Sequence, residues 1–321
     1  MFRKGLKLAA AALLAAVVAT PVAAAYPERA ITMVTPFPAG GATDGLARLL
    51  AEHLAKKLGQ SVVVENRAGA ATTIGASHVM RAEPDGYTIL LATNSTLVTN
   101  RFLFKSLSYD PDAFAPIGMI GVGPMVLLSS KKTGFDSLED VVKAAKEKPG
   151  ELSIASFGAG TSSHLAAEYF QKLADVELLH VPFKGSTQAL PQLISGDVDL
   201  FFDMVSTGMP QAEADKVDVH AITSRERMSS LPDLPTVGET YQGFEMTAWF
   251  TLVAPPGTPE ATTKVVSDAL KATLADEEVR RRMLVMGIEP SEGSPKALAQ
   301  QIKQELPIIE SLVERADIAI Q

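Results

Sequence analysis

Two stretches of the chain carry residue types whose spacing suits chemistry with an anion: Pro36-Phe37-Pro38-Ala39-Gly40-Gly41-Ala42-Thr43-Asp44 and Ser156-Phe157-Gly158-Ala159-Gly160-Thr161-Ser162-Ser163-His164. Each follows a strand-like apolar run and leads into a helix-like stretch. Helix starts present N–H groups without intrahelical partners and the positive end of the helix dipole, so they attract anions without a cationic side chain. Gly40 and Gly41 let the backbone approach a ligand, and Pro36 and Pro38 stiffen the approach. Thr43 or Asp44 is the expected N-cap of the first helix. Taken singly, either turn is also compatible with a purely structural role; an acid held between the two is the sharper expectation.

Other polar residues belong to the same argument. Thr93, Asn94 and Ser95 end the strand-like YTILLAT, at the carboxyl edge where ligands bind in open α/β sheets, and they either contact the ligand or cap the next helix. Lys184 follows LLHVPF and Asp203 ends VDLFFD; the first suits a second carboxylate and the second a ligand amine or hydroxyl. Asp44 repels an anion unless its oxygens are already engaged, so it is read as organising the turn by accepting N–H bonds. His164 either donates to the ligand or caps and packs. Phe37 and Phe157 offer an apolar wall or core packing, and Trp249 is read as a packing or hinge residue.

Several chemistries are excluded or disfavoured. The first turn lacks the GK[ST] ending of a phosphate loop and the second reads GAGTSS rather than G-x-G-x-x-G. The serine elbow G-x-S-x-G does not occur, which weakens the case for a secreted hydrolase. Five histidines, at 53, 78, 164, 180 and 220, form no close metal-binding pair, and there is no cysteine for a thiolate site or disulfide. No cofactor or metal is expected, and no enzymatic activity.

Arg3, Lys4 and Lys7 precede an apolar run from Leu8 to Val18 and the small-residue site Ala23-Ala24-Ala25. This is the pattern of an export leader cleaved after Ala25, its apolar core well short of the roughly 20 residues a membrane helix needs. The leader holds three positive charges and no negative ones, so the net charge of -8 becomes -11 after cleavage, and nucleic acid is not an expected partner.

The elements that must position the two turns read as a βαβα rhythm: ITMV, GLARLLAEHLAKKL, SVVVE, IGASHVMRA, YTILLAT. Leu46, Leu49, Leu50, His53, Leu54 and Leu58 share one face of the first helix, and Gly59 closes it. After the long apolar segment IGMIGVGPMVLLSS a new βα cycle begins, and a second long apolar stretch, EMTAWFTLVAPP, precedes two C-terminal helices over 259–275 and 295–316. Two such segments predict two α/β lobes joined by crossover strands: 26–125 with 250–321 as a discontinuous first lobe and 126–249 as the second. The cleft between them is the expected ligand site.

YPERAITMVTPFPAGGATD, VVVENRAGA, EPDGYTILLAT, YDPDAFAPIGMIG, SFGAGTSSHLA, HVPFKGSTQALPQLISGDVDLFFD, RMSSLPDLPTVGE and WFTLVAPPGTP, in that order, resemble the Bug-type periplasmic solute receptors of tripartite tricarboxylate transporters. The resemblance implies a type II periplasmic binding-protein fold that captures a small carboxylate-containing compound and passes it to the membrane permease subunits. It implies ligand contacts, partly through water, at Pro38, Gly40, Gly41 and Asp44 in one lobe and Ser156, Gly158, Gly160, Thr161, Ser162 and His164 in the other. Ala39 and Ala159 lie within the same turns. The chain departs from the family at Asn66-Arg67-Ala68-Gly69-Ala70-Ala71-Thr72, where a glycine-richer loop is usual. A monomer is expected. A receptor for a membrane sensor kinase is the alternative partner class, with a secreted hydrolase the remaining one.

Overall fold

The computed structural model describes residues 26–315, so the expected leader lies outside the described residues. Ten strands among them form one mixed sheet in the order β2-β1-β3-β9-β4-β7-β5-β6, with β8 and β10 both alongside β4. They are β1 (Ile31–Thr35), β2 (Val62–Asn66), β3 (Thr88–Thr93), β4 (Ala115–Ser130), β5 (Ser153–Ser156), β6 (Leu179–Pro182), β7 (Leu200–Met204), β8 (Val217–Ile222), β9 (Thr247–Ala254) and β10 (Glu289–Pro290). The α-helices are α1 (Ala42–Leu58), α2 (Thr73–Met80), α3 (Asn100–Leu103), α4 (Leu138–Glu147), α5 (Ser162–Ala174), α6 (Ser186–Ser195), α7 (Val205–Glu213), α8 (Val237–Thr240), α9 (Glu260–Leu274), α10 (Glu277–Val285) and α11 (Pro295–Arg315).

The sheet has two parallel ends and an antiparallel middle. β1 pairs in parallel with β2 and β3, and β5 in parallel with β6 and β7. Between them β4 runs antiparallel to the strands it pairs with. Its first part, Ala115–Pro124, pairs with β9; its second, Met125–Ser130, pairs with β7 and β8. At the changeover Met125 and Thr223 are bonded twice: the Thr223 N–H donates to Met125 O at 2.8 Å, and the Met125 N–H donates to Thr223 Oγ1 at 2.7 Å. The chain returns beside it, where the Met246 N–H donates to Thr223 O just before β9 begins.

The helical periodicity of the first unit has the expected result. Leu46, Leu50 and Leu54 are 0 % exposed on the inner face of α1, each contributing about 2 kcal/mol by burial, and His53 is buried beside them. Gly59 ends the helix in the left-handed region at φ 69°, its N–H bonded to Ala55 O. The C-terminal region differs from expectation: α10 stands between the two helices foreseen there. Asp276 starts it by accepting from the N–H groups of Glu278 and Val279, a cap that the charged sequence DEEVRRR conceals.

Candidate functional site

The first turn is built around one carboxylate. Asp44 Oδ2 accepts from the Gly40 N–H and from Arg48 Nε, both at 2.9 Å, and Oδ1 accepts from Asn66 Nδ2 at 2.9 Å. The same Asn66 amide donates to Phe37 O at 3.0 Å, so β2 ties both ends of the turn together. Burial pushes the Asp44 carboxyl up, but Arg48, the Gly40 N–H and Asn66 outweigh it and hold it below the ordinary carboxylate range. Gly40 lies at φ 82°, where a side chain is strained. Helix α1 starts earlier than expected: Gly41 is the N-cap, and Thr43 and Asp44 fall in the first turn. Asp44 is free to reach back to Gly40 because it is inside the helix rather than at its boundary.

The second turn is held by neutral groups. Ser156 Oγ accepts from the Gly158 N–H at 3.0 Å and lies 2.7 Å from His180 Nε2. His164 Nδ1 accepts from the Gly160 N–H at 3.1 Å, which places the ring proton on Nε2, 3.4 Å from Glu168. The two imidazoles stack with centroids 4.0 Å apart. Burial first, and then His164, pushes His180 down to about 4, so that ring is uncharged near neutrality. Thr161 Oγ1 donates to Gly158 O at 2.7 Å, and Ala159 sits half-buried between.

A third helix start joins these two. Gly185, at φ 150°, precedes α6, and a Cβ there would come within 3.2 Å of the Pro38 ring; Gly40 faces the Thr187 methyl in the same way. Asp203 is 0 % exposed at the end of β7, and its Oδ1 accepts from Ser186 Oγ at 2.6 Å while Oδ2 has no partner among the described residues. Burial pushes Asp203 up to about 7, so it presents either a lone pair or a proton near neutrality.

Between the three starts lies a cavity of about 30 Å³, room for about two water molecules. Phe37, Pro38, Gly41, Ala42 and Thr43 line it from the first turn, Phe157 and Ser162 from the second, and Gly185, Ser186 and Thr187 from the third. Thr93, Met204, Ala248 and Phe250 complete it from the sheet, and none of these lining residues is charged. The Thr93 hydroxyl is buried without a partner among the described residues. Of the residues singled out in sequence, Phe37, Pro38, Gly41, Thr43, Thr93, Phe157 and Ser162 come together here. Ala39 and Gly40 are exposed at the tip of their turn, and Lys184 is exposed. Asn94 and Ser95 are buried where β3 runs into the π-helical turn Ser95–Thr99. Asp44, Ser156, Gly158, Gly160, Thr161 and His164 spend their polar groups or backbone on the turns themselves. The helix over STQALPQLISG was read in sequence, but the place of its start at the cavity was missed. Its signal was Lys184-Gly185-Ser186-Thr187, a glycine directly after a strand and before helical periodicity, the same pattern as the other two turns.

A family profile described as a tripartite tricarboxylate transporter family receptor matches residues 46–318, beginning just past the first turn. The solved structure of the periplasmic binding protein BugD is 38% identical and covers 92% of this chain and 100% of its own, with a TM-score of 0.88. R. palustris Rpa4515, solved with adipate, is 34% identical over 92% of this chain and 99% of its own, with a TM-score of 0.89. MatC from Rhodopseudomonas palustris, with bound malate, is 33% identical over 90% and 100%, with a TM-score of 0.83.

Proposed function

The chain belongs to the tripartite tricarboxylate transporter receptor family, and from that membership we propose that it captures a small dicarboxylate between two lobes and delivers it to a transporter's membrane permease subunits. The family is one of periplasmic solute-binding receptors, not enzymes, and two of its relatives, Rpa4515 and MatC, were solved with dicarboxylates. The observation that carries the reading is the convergence of three helix starts, α1, α5 and α6, on one cavity whose lining holds no charge. Main-chain N–H groups there supply the attraction that a cationic side chain would supply elsewhere. Phe37, Phe157 and Phe250 fit the methylene body of such an acid, and the partnerless Thr93 hydroxyl fits a polar substituent; Asp203 does not line the cavity and holds Ser186, which does.

Among the described residues, 26–125 and the part of 250–321 up to Arg315 form the first lobe and 126–249 the second; the split pairing of β4 at Pro124 and Met125 supports this division. As it stands the cavity has room for about two water molecules, so a dicarboxylate enters by parting the turns around that changeover. The exported form begins at Tyr26, after cleavage of the leader.

Titration calorimetry against adipate, malate and succinate tests the reading, with the corresponding diamides as controls. At least one acid is expected to bind with a Kd in the micromolar range or tighter, and its diamide at least about 100-fold more weakly, since the diamide lacks the charge that helix starts attract. Equal binding of acid and diamide overturns it.

A further inference from the structure

A chain of hydrogen bonds runs from the C-terminal helix to the cavity. Glu305, on α11, is 8 % exposed, and its two oxygens accept from Trp249 Nε1 on β9 and from Asn94 Nδ2, the latter at 3.1 Å. The second Asn94 N–H points to Thr247 O at 3.4 Å. With both amide protons committed, Asn94 turns its Oδ1 to Ser162 and accepts from the Ser162 hydroxyl at 3.2 Å. Ser162 opens α5 and lines the cavity. Both Glu305 oxygens accept, one from an indole N–H that can only donate and the other from the Asn94 NH₂, and this orientation of the Asn94 amide sets the direction of the bond to Ser162. Burial pushes the Glu305 carboxyl above its ordinary value, and donors from Trp249, Asn94 and Gln301 offset that only in part.

We propose that Glu305 is a positioning residue for the ligand: it fixes the orientation of the Asn94 amide, which draws the Ser162 hydroxyl proton out of the cavity. Ser162 then meets the ligand with lone pairs only. A ligand group that donates is favoured at this point over one that only accepts, so the cavity selects 2-hydroxy dicarboxylates over the same skeleton lacking the hydroxyl. This rests on the dicarboxylate reading above and deepens it.

The role is open to a test that a merely structural residue would fail. In Glu305→Gln the side chain keeps its shape but gains two donors. The Trp249 N–H can only donate and holds the new amide oxygen, so the new NH₂ group faces Asn94 and forces its amide to flip. Asn94 then donates to Ser162, whose proton is released into the cavity. Removing the indole N–H with Trp249→Phe frees the oxygen of the introduced amide for Asn94 and restores the original direction. Calorimetry with malate and succinate is expected to show a malate preference of about tenfold in the wild type. That preference is lost in E305Q, kept in W249F and recovered in W249F/E305Q, and S162A removes the difference between wild type and E305Q. Loss of preference in W249F/E305Q equal to that in E305Q overturns the proposal, as does an unchanged preference in E305Q.

A second measurement needs no ligand. Trp249 is the only tryptophan in the chain, so its indole N–H gives a single proton resonance. That resonance is expected to shift in S162A as well as in E305Q; an indole signal blind to Ser162 overturns the chain of bonds. Should the wild type bind none of these acids, the dicarboxylate reading fails, while the indole signal still decides whether Glu305 governs Ser162.

Discussion

The first and second turns reach the same cavity by opposite means. Around Gly40 the backbone is gathered by a charged carboxylate, Asp44, shared among a main-chain N–H, a guanidinium and an amide. Around Gly158 and Gly160 it is gathered by a serine and two stacked imidazoles. The difference follows from surroundings. Asp44 has exposed Arg48 one helical turn away, so its charge is compensated at the surface. Ser156 and His180 sit on adjacent parallel strands beneath the buried His164 ring, where uncharged, mutually bonded groups are the ones that fit. Either way, hydrogen bonds hold the turn so that its remaining N–H groups face the ligand without reorganising.

The largest expected effect separates the two turns by their glycines. Gly41 has extended backbone, and a Cβ there finds only Pro38 O at 3.7 Å, so valine fits the fold and projects into the cavity. Gly160 is at φ 79°, and a Cβ there would come within 2.6 Å of the Leu103 side chain on α3. G41V is expected to weaken ligand binding by about 100-fold or more with a melting temperature within about 2 °C of wild type. G160A is expected to cost about 1–2 kcal/mol of stability from the left-handed backbone alone, and to weaken binding as well. Calorimetry beside thermal melts checks both. Equal losses of stability in the two variants would erase the contrast.

Acid sharpens the comparison with a smaller effect. His180 has an ordinary value of 6.5 and is held near 4 in the fold, facing His164, Glu168 and Ser156. The unfolded chain therefore binds a proton first as the pH falls. Stability from the second turn is intact above 6.5, declines between 6.5 and about 4, and levels below that. Asp44 is depressed from 3.8, so the first turn keeps its full contribution above that value and loses it only as the pH drops through the folded value. Melts across this range are expected to show a slope between 6.5 and 4 that flattens in His180→Gln. A slope unchanged by that substitution would assign the acid sensitivity elsewhere.

What sequence revealed and what it hid divide along physical lines. Both glycine turns, the face of α1 and the Gly59 cap were legible because backbone conformation and helical period leave local marks. The start of α6 carried the same mark in weaker form, one glycine instead of two. The N-cap at Gly41 was misplaced and helix α10 was not foreseen because hydrogen bonds accepted by the Asp44 and Asp276 side chains, not the residue types alone, set where those helices begin. The link from Asn94 to Glu305 spans 211 positions and was invisible, since pairing at that distance is a property of the fold. The buried polar chain leading from it to Ser162 is equally nonlocal.

The smallest effect is the most discriminating for the origin of the attraction. Lys184 is the cation nearest in sequence to the third helix start, yet its side chain is exposed and its backbone N–H donates to Gln188 Oε1. If main-chain N–H groups hold the acid, Lys184→Ala removes a screened surface charge and changes the Kd by about twofold at most. That change should shrink further as salt is raised, because interactions of exposed charges are screened over about 10 Å at about 0.1 M ionic strength. A loss of tenfold or more that persists in high salt would put a cationic side chain in the role assigned to the backbone. The uncharged lining of the cavity argues for the smaller number.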